Sequence, residues 1–116
     1  VVVEETFERD FRPIAEDERL TPVMLVLILD LYFRLTPITM VAETPEVRQL
    51  SSLLHIPVSL VVDVLEVFQH CDPYLNRRDV VVSPLLFPCQ QIWQCYGNID
   101  TRQLASYAAQ LKDYFK

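Results

Sequence analysis

The sequence contains five thiol or imidazole side chains, which can act as nucleophiles, bases or metal ligands, and they are Cys71, Cys89, Cys95, His55 and His70. Cys89 and Cys95 lie on one predicted helix, about 9 Å apart along its axis from the helical rise, which is too far for a disulfide. His70 and Cys71 are adjacent, but a tetrahedral zinc site usually shows two close pairs of ligands. We therefore expect reduced, packed thiols, no metal and no cofactor, in a cytoplasmic protein.

Catalysis would need a further constellation of residues, such as a nucleophile with its base, paired carboxylates in a pocket, or a phosphate loop. None of these has a recognisable local pattern in the sequence, and the single glycine, Gly97, excludes a glycine-rich loop. His55 falls in a predicted turn, and His70 falls at a predicted helix C-terminus, where the helix dipole favours a cation. The sequence therefore predicts a protein that is not an enzyme.

The composition predicts one compact and largely helical domain, since 116 residues with 51% hydrophobic and 22% charged side chains suffice for a single core. The formal net charge is −6, and seven carboxylates precede Arg19. Nucleic-acid binders usually carry a basic footprint, and here only Arg77 and Arg78 form a cluster. The charge pattern therefore disfavours a large surface for binding phosphates.

The elements that must position these residues follow from hydrophobic spacing and capping signals. Thr21 and Pro22 open a predicted helix over residues 22–35, whose apolar run is too short to cross a bilayer and contains Asp30, so no membrane contact is expected. A short strand at residues 38–41 follows, then helices over residues 45–54 and 58–70. A β-hairpin is predicted over residues 74–82, and two more helices follow it, one ending at a left-handed Gly97 and one capped by Asp100.

Three parts are expected along the chain. Residues 1–20 form an acidic N-terminal arm, residues 21–83 form the core, and residues 84–116 form a helical extension that packs on the core or forms a dimer interface. The first predicted helix carries more apolar residues than one face of a small domain can bury, which predicts a homodimer. The alternative is a monomer in which Phe7, Phe11 and Trp93 cover the surplus.

The order helix, strand, helix, helix, hairpin over residues 22–83 resembles the winged helix-turn-helix superfamily. Ile56 stands at the apolar position after the turn, and His55 stands where members of the family often have glycine, because the backbone there tends toward positive φ. The resemblance implies a mainly α fold with a small β-hairpin wing, in which a winged-helix-like core is followed by two C-terminal helices. It also implies that the helix after the turn carries the binding face.

With Val61, Leu65 and Phe68 inward, that helix would present an outward face formed by Val58, Ser59, Val62, Asp63 and Glu66. Carboxylates can accept a hydrogen bond from cytosine but are repelled by phosphates, so this face favours a regulatory or scaffolding module that binds a protein partner. The alternative is a homodimeric DNA-binding transcriptional regulator, with Arg48, Arg77 and Arg78 on phosphates. Two simpler readings also stay open, a solvated acidic strip on an amphipathic helix and a solvated turn at Arg77 and Arg78.

Overall fold

Five α-helices form the part of the protein that the computed structural model describes, which is residue 14 and residues 17–72, 85–97 and 100–115. They are α1 (Pro22–Tyr32), α2 (Pro45–Leu54), α3 (Val58–Cys71), α4 (Leu86–Tyr96) and α5 (Thr101–Lys112). Two short 3-10 turns lie at Pro37–Thr39 and Asp113–Phe115. Apart from one isolated bridge between Ile14 and Asp17, these ranges contain no β-structure.

The fold class predicted from the sequence, a mainly α protein with a β-hairpin wing, is therefore wrong. The described residues pack as an all-helical bundle, with no strand or sheet in those ranges. The residues predicted to form the wing, 74–82, lie outside the described residues. Short apolar runs look alike in strands and in turn segments, and the β-branched residues from which the strand at 38–41 was predicted do not distinguish the two.

Helix α1 is the central helix of the bundle. The Thr21 hydroxyl accepts a hydrogen bond from the Met24 N–H at 3.3 Å, and Pro22 occupies the first turn, so the predicted start is confirmed. The helix ends at Tyr32, three residues before the predicted end at Leu35. Nine of its eleven residues are buried, because α2, α3, α4 and α5 all contact it.

The two C-terminal helices pack on α1 and bury part of its apolar surface. From α5, Leu104, Ala108 and Leu111 are buried in the core, and from α4, Cys89 and Ile92 are buried in it. The C-terminal segment thus packs on α1 within one chain. The sequence predicted a homodimer because α1 carries a surplus of apolar surface. That surface is buried within one chain, without a second copy of it.

Four aromatic rings join α1, α3 and α4 into one core. Tyr32, Phe33, Phe68 and Trp93 have ring centroids 5.5 to 6.4 Å apart, mostly edge to face or tilted. The Tyr32 hydroxyl also donates a hydrogen bond to an Asp72 carboxylate oxygen at 2.6 Å, at the end of α3. Burial, and next this hydrogen bond, raise the pKa of Tyr32 well above its usual value. The phenol therefore stays neutral and keeps α1 attached to the end of α3.

The turn between α2 and α3 holds His55 in the left-handed region, at φ 58 and ψ 40, as the sequence predicted. Ile56 after it is buried, and the buried Ser51 hydroxyl donates to the Ile56 carbonyl oxygen at 2.6 Å. Helices α2 and α3 are bent by 112° at this break.

The segment predicted as a strand at residues 38–41 begins instead in the 3-10 turn Pro37–Thr39, so that prediction is wrong. Threonine side chains satisfy the backbone locally: the Thr39 hydroxyl donates to the Thr36 carbonyl oxygen at 2.9 Å, and the Thr44 hydroxyl donates to the Thr39 carbonyl oxygen at 2.5 Å. Such local bonds replace those of a strand ladder. Met40 is buried beneath the turn while Ile38 is 87% exposed.

The ends of the last two helices agree with the predicted capping residues but differ in one backbone conformation. The Asp100 carboxylate caps α5 by accepting from the Arg102 N–H at 2.8 Å, as predicted. Gly97 follows α4, but at φ −68 and ψ −20 it is right-handed rather than left-handed. Space explains the glycine, because a Cβ there would lie 2.6 Å from the Trp93 carbonyl oxygen.

The chain is compact, with a Cα radius of gyration of 13.5 Å, close to the roughly 13 Å typical of a folded domain of about 100 residues. Among the described residues no single helix combines the length and the apolar composition needed to cross a bilayer. Only α2 and α3 taken together meet those criteria, across their bend.

Candidate functional site

The face of α3 predicted to bind a partner is in part exposed. Ser59, Asp63 and Glu66 are exposed, and their spacing of four and three residues places them along one side of the helix. Val58 and Val62 are half-buried and pack against the core, so they offer only part of their surface to a partner. We call these five residues the α3 face.

The opposite side of α3 fixes this orientation. Val61, Leu65 and Phe68 are fully buried, which confirms the predicted inward residues. Leu60, Val64 and Val67 are buried as well, because α3 packs against α1, α2 and α4. Only a narrow strip of α3 is therefore left for solvent, and it is centred on Ser59, Asp63 and Glu66.

One cation lies close to the acidic strip. Arg19 is exposed and pairs with Asp17, its Nη2 lying 2.9 Å from the Asp17 Oδ2 atom. Hydrogen bonding and the charge of Asp17 raise the pKa of Arg19, with a smaller contribution from Asp63. Because Arg19 is already paired with Asp17, the negative charge of the α3 face is only partly offset.

Of the three arginines predicted to contact nucleic acid, the described structure contains one. Arg48 is exposed on α2, and its Nε donates to the Ala42 carbonyl oxygen at 3.0 Å, which ties the preceding loop to the helix. Arg77 and Arg78 lie outside the described residues.

A pocket that the sequence analysis did not predict lies between α1, α2 and α5, with a volume of about 280 Å³. Its apolar wall is formed by Leu27 and Leu31 from α1 and by Leu50 and Leu53 from α2. An apolar wall of this kind, with a few polar groups converging on it, is typical of sites for small molecules.

The polar side of this pocket carries two carboxylates and two cations. Asp30, only 4% exposed, pairs with Arg34 one helical turn later, at 2.8 Å between Oδ2 and Nη2. Glu46 from α2 and Lys112 from α5 also line the space. Burial raises the pKa of Asp30, and the charges of Arg34 and Lys112 act in the opposite direction.

Part of this pocket could have been predicted from the sequence of α1. Asp30 is the one charged residue within α1, and Arg34 follows it at the i+4 spacing of a helical ion pair. An ionisable residue in an otherwise apolar helix is a known marker of function when its pKa is perturbed in a cleft. Glu46 and Lys112 had no such signal, because only the tertiary packing brings α2 and α5 to the same space.

The three cysteines are not bonded to one another. Burial raises the pKa of the Cys71 thiol to about 11. Burial, and then the nearby Cys71, raise that of the Cys89 thiol to about 12, while Cys95 is exposed. Within the described residues, no three histidine, cysteine or acidic side chains are grouped as metal ligands would be.

Comparisons with known proteins do not add a family to this description. No protein-family model, no curated protein and no solved structure matches the chain. Two features of the described residues can therefore be weighed on their own chemistry. The α3 face can contact a macromolecule, and the charged pocket can enclose a small one.

Proposed function

We propose that the chain is a non-enzymatic protein-interaction module, regulatory or scaffolding in role, which binds a protein partner through the α3 face. The observation that carries this proposal is the exposed row of Ser59, Asp63 and Glu66 beside the half-buried Val58 and Val62. Protein interfaces combine an apolar centre with a polar rim, and charged residues at the rim select the partner. The α3 face has both components on a rigid helix.

The charge of the face indicates the chemistry of the partner. Asp63 and Glu66 would be complemented by lysine or arginine side chains surrounding a small apolar contact. The Ser59 hydroxyl can both donate and accept a hydrogen bond, so it adds directional specificity. We therefore expect a protein partner with a basic rim.

The alternative function, a DNA-binding regulator, gains no support from the described residues. The same acidic strip would face the phosphates on either side of a groove and be repelled by them. Arg48, the one described arginine of the predicted contact set, is engaged with the Ala42 carbonyl oxygen. DNA binding is therefore retained only as an outcome of the test.

A cytoplasmic location is also part of the proposal. Three cysteines without a disulfide, one of them exposed at Cys95, are typical of a compartment that keeps thiols reduced.

The test compares charge reversals on and off the face. Proteins retained by the immobilised parent are compared with those retained by the Asp63→Lys and Glu66→Lys variants. The control is Glu43→Lys, an equal charge change at an exposed residue before α2. We expect a partner that both α3 variants lose and the control keeps. Retention of the same proteins by all four chains would exclude the α3 face as the binding site.

A second arm titrates labelled duplex DNA at low and raised salt against the parent and the Asp63→Lys, Glu66→Lys double variant. The expected result is no binding by the parent and weak, salt-sensitive binding by the double variant, because two reversals remove repulsion and add cations. Both positions are exposed, so the fold should survive with a change within about 0.5 kcal/mol. Tight binding of a specific duplex by the parent, abolished in the double variant, would instead establish the DNA-binding function.

A further inference from the structure

The charged pocket between α1, α2 and α5 contains more polar groups than one ion pair requires. An i,i+4 pair accounts for Asp30 and Arg34. It does not account for Glu46, Gln49 and Lys112, which line the same pocket and make no ion pair or side-chain hydrogen bond with another described residue. Three polar side chains from two further helices thus line the pocket without a protein partner among the described residues, Glu46 and Gln49 being exposed and Lys112 half-buried.

Arg34 also keeps bonding capacity of its own. A guanidinium carries five N–H donors, and the ion pair with Asp30 joins its Nη2 to Oδ2 at 2.8 Å. The side chain is about half exposed, at 51%, so its remaining donors can reach a molecule in the pocket. The fork of a guanidinium matches the two oxygens of a carboxylate.

The signs of the charges limit which ligands can bind in the pocket. Asp30 and Glu46 are anionic, and Arg34 and Lys112 are cationic. A simple organic anion would pair with Lys112 but face two carboxylates, and a simple amine would pair with Glu46 but face two cations. A ligand carrying one charge of each sign avoids both repulsions.

The apolar wall and the volume of the pocket limit the possible ligands further. Four leucines from α1 and α2 line the pocket together with its charged residues, so they can contact an aliphatic group. Pockets for drug-sized ligands have volumes of about 300–1,000 Å³, and this one, at about 280 Å³, lies at the small end. The ligand is therefore a small metabolite rather than a nucleotide or a peptide.

We propose that this pocket binds a free α-amino acid with an aliphatic side chain. Its carboxylate pairs with Arg34 and Lys112, its ammonium pairs with Asp30 and Glu46, and its side chain contacts the leucine wall. Gln49 can serve either charged group, since an amide both donates and accepts. The site lies on α1, α2 and α5, and none of its lining residues belongs to the α3 face.

The test is calorimetric titration of the full chain with L-leucine and three analogues that each lack one feature. N-acetyl-leucine lacks the ammonium, leucinamide lacks the carboxylate, and glycine lacks the aliphatic group. We expect one leucine per chain and at least about ten-fold weaker binding of every analogue, since each leaves charged or apolar groups of the pocket unpaired. Equal binding of N-acetyl-leucine or leucinamide would overturn the proposal, as would the absence of saturable heat up to about 10 mM leucine.

Matched variants place the binding in this pocket. Lys112→Gln is compared with Arg102→Gln, an exposed cation near the other end of α5, and Glu46→Gln is compared with Glu43→Gln, which lies outside the pocket. Circular dichroism checks that each variant is folded. The two pocket variants should weaken leucine binding at least about ten-fold and the two controls by less than about two-fold. Unchanged binding by Lys112→Gln and Glu46→Gln would show that leucine binds elsewhere and would sink the assignment.

Discussion

Asp30 is a buried carboxylate on the most buried helix of the bundle. Its partner Arg34 is half exposed, so the two ends of this ion pair lie in different surroundings. Placing the carboxylate out of water is costly, and pairing repays that cost only when the geometry is good on both sides. A residue that weakens the fold in this way is expected where function requires it.

Replacing Asp30 with Asn tests this cost. Burial raises the pKa of Asp30 above its usual value of 3.8, so its contribution to stability is fully present below that pH and is lost as pH rises through the folded-state pKa. The neutral amide avoids that loss. We therefore expect Asp30→Asn to be more stable than the parent at pH 7, by an amount on the order of 1 kcal/mol, and the difference to vanish below about pH 3.8.

Urea unfolding at several pH values measures this difference. The control is Asp63→Asn, an exposed carboxylate whose replacement should change stability within about 0.5 kcal/mol at either pH. Arg34 can remain solvated in the Asn variant, so no buried charge is left unpaired. A loss of stability at pH 7 would mean that the attraction to Arg34 and Lys112 outweighs burial, contrary to this account.

At the scale of elements, the turn between α2 and α3 stores strain at His55. A non-glycine residue at φ 58 costs roughly 1 kcal/mol relative to glycine, and a β-branched residue costs more. We expect His55→Gly to raise the free energy of unfolding by up to about 1 kcal/mol and His55→Val to lower it by at least as much. Thermal unfolding of the two variants measures both changes. If both substitutions changed the free energy of unfolding in the same direction, the backbone at His55 would not be strained.

At the end of α4, Gly97 is required by lack of space and not by backbone strain. Its φ is ordinary, but a Cβ would lie 2.6 Å from the Trp93 carbonyl oxygen and 2.9 Å from the Trp93 ring. Gly97→Ala should therefore displace the ring and lower the free energy of unfolding by about 1–3 kcal/mol. The measurement is urea unfolding, together with a shift of the tryptophan emission. A stabilised variant with unchanged emission would show that the helix end can adjust freely.

The sequence predicted the helices correctly at several ends, but it gave a wrong strand and did not predict the pocket. Thr21, Pro22 and Asp100 are local capping signals and placed the helix starts correctly, and the helix predicted over residues 45–54 agrees with α2. The strand at residues 38–41 was wrong because side-chain bonds of Thr39 and Thr44 hold a tight turn there. The pocket was missed for another reason: Glu46 and Lys112 are 66 positions apart in the chain and meet through packing alone.

For the molecule as a whole, the central position of α1 changes the expectation of a homodimer. The dimer stays a prediction, but its predicted interface is occupied, since α4 and α5 of the same chain cover α1. The large apolar side chains that the described residues expose are Ile38 and Val41 before α2, 87% and 40% exposed, and Phe87 on α4, 61% exposed. A second copy would have to use surfaces of that kind.

One central helix also predicts one cooperative unfolding transition. Leu29 on α1 is fully buried, so Leu29→Ala should lower the free energy of unfolding by about 2–5 kcal/mol. Because Trp93 packs against α1 and α3, its fluorescence and the helical circular dichroism should shift together along the urea axis. Separate midpoints for the two signals in parent or variant would mean that α4 docks on an already folded bundle.

The unequal burial of the thiols gives the protein a natural position for attaching probes. Cys71 and Cys89, whose pKa values are raised to about 11 and 12, carry almost no thiolate at neutral pH, whereas Cys95 is exposed on α4. A maleimide at pH 7 should therefore add one label per folded chain. Fragmentation of the tryptic peptide 79–102, which contains both Cys89 and Cys95, would assign the label to Cys95. Denatured protein should take up three. Since Cys95 lies two residues from Trp93, a quencher attached there would follow the movement of α4 without any engineered cysteine.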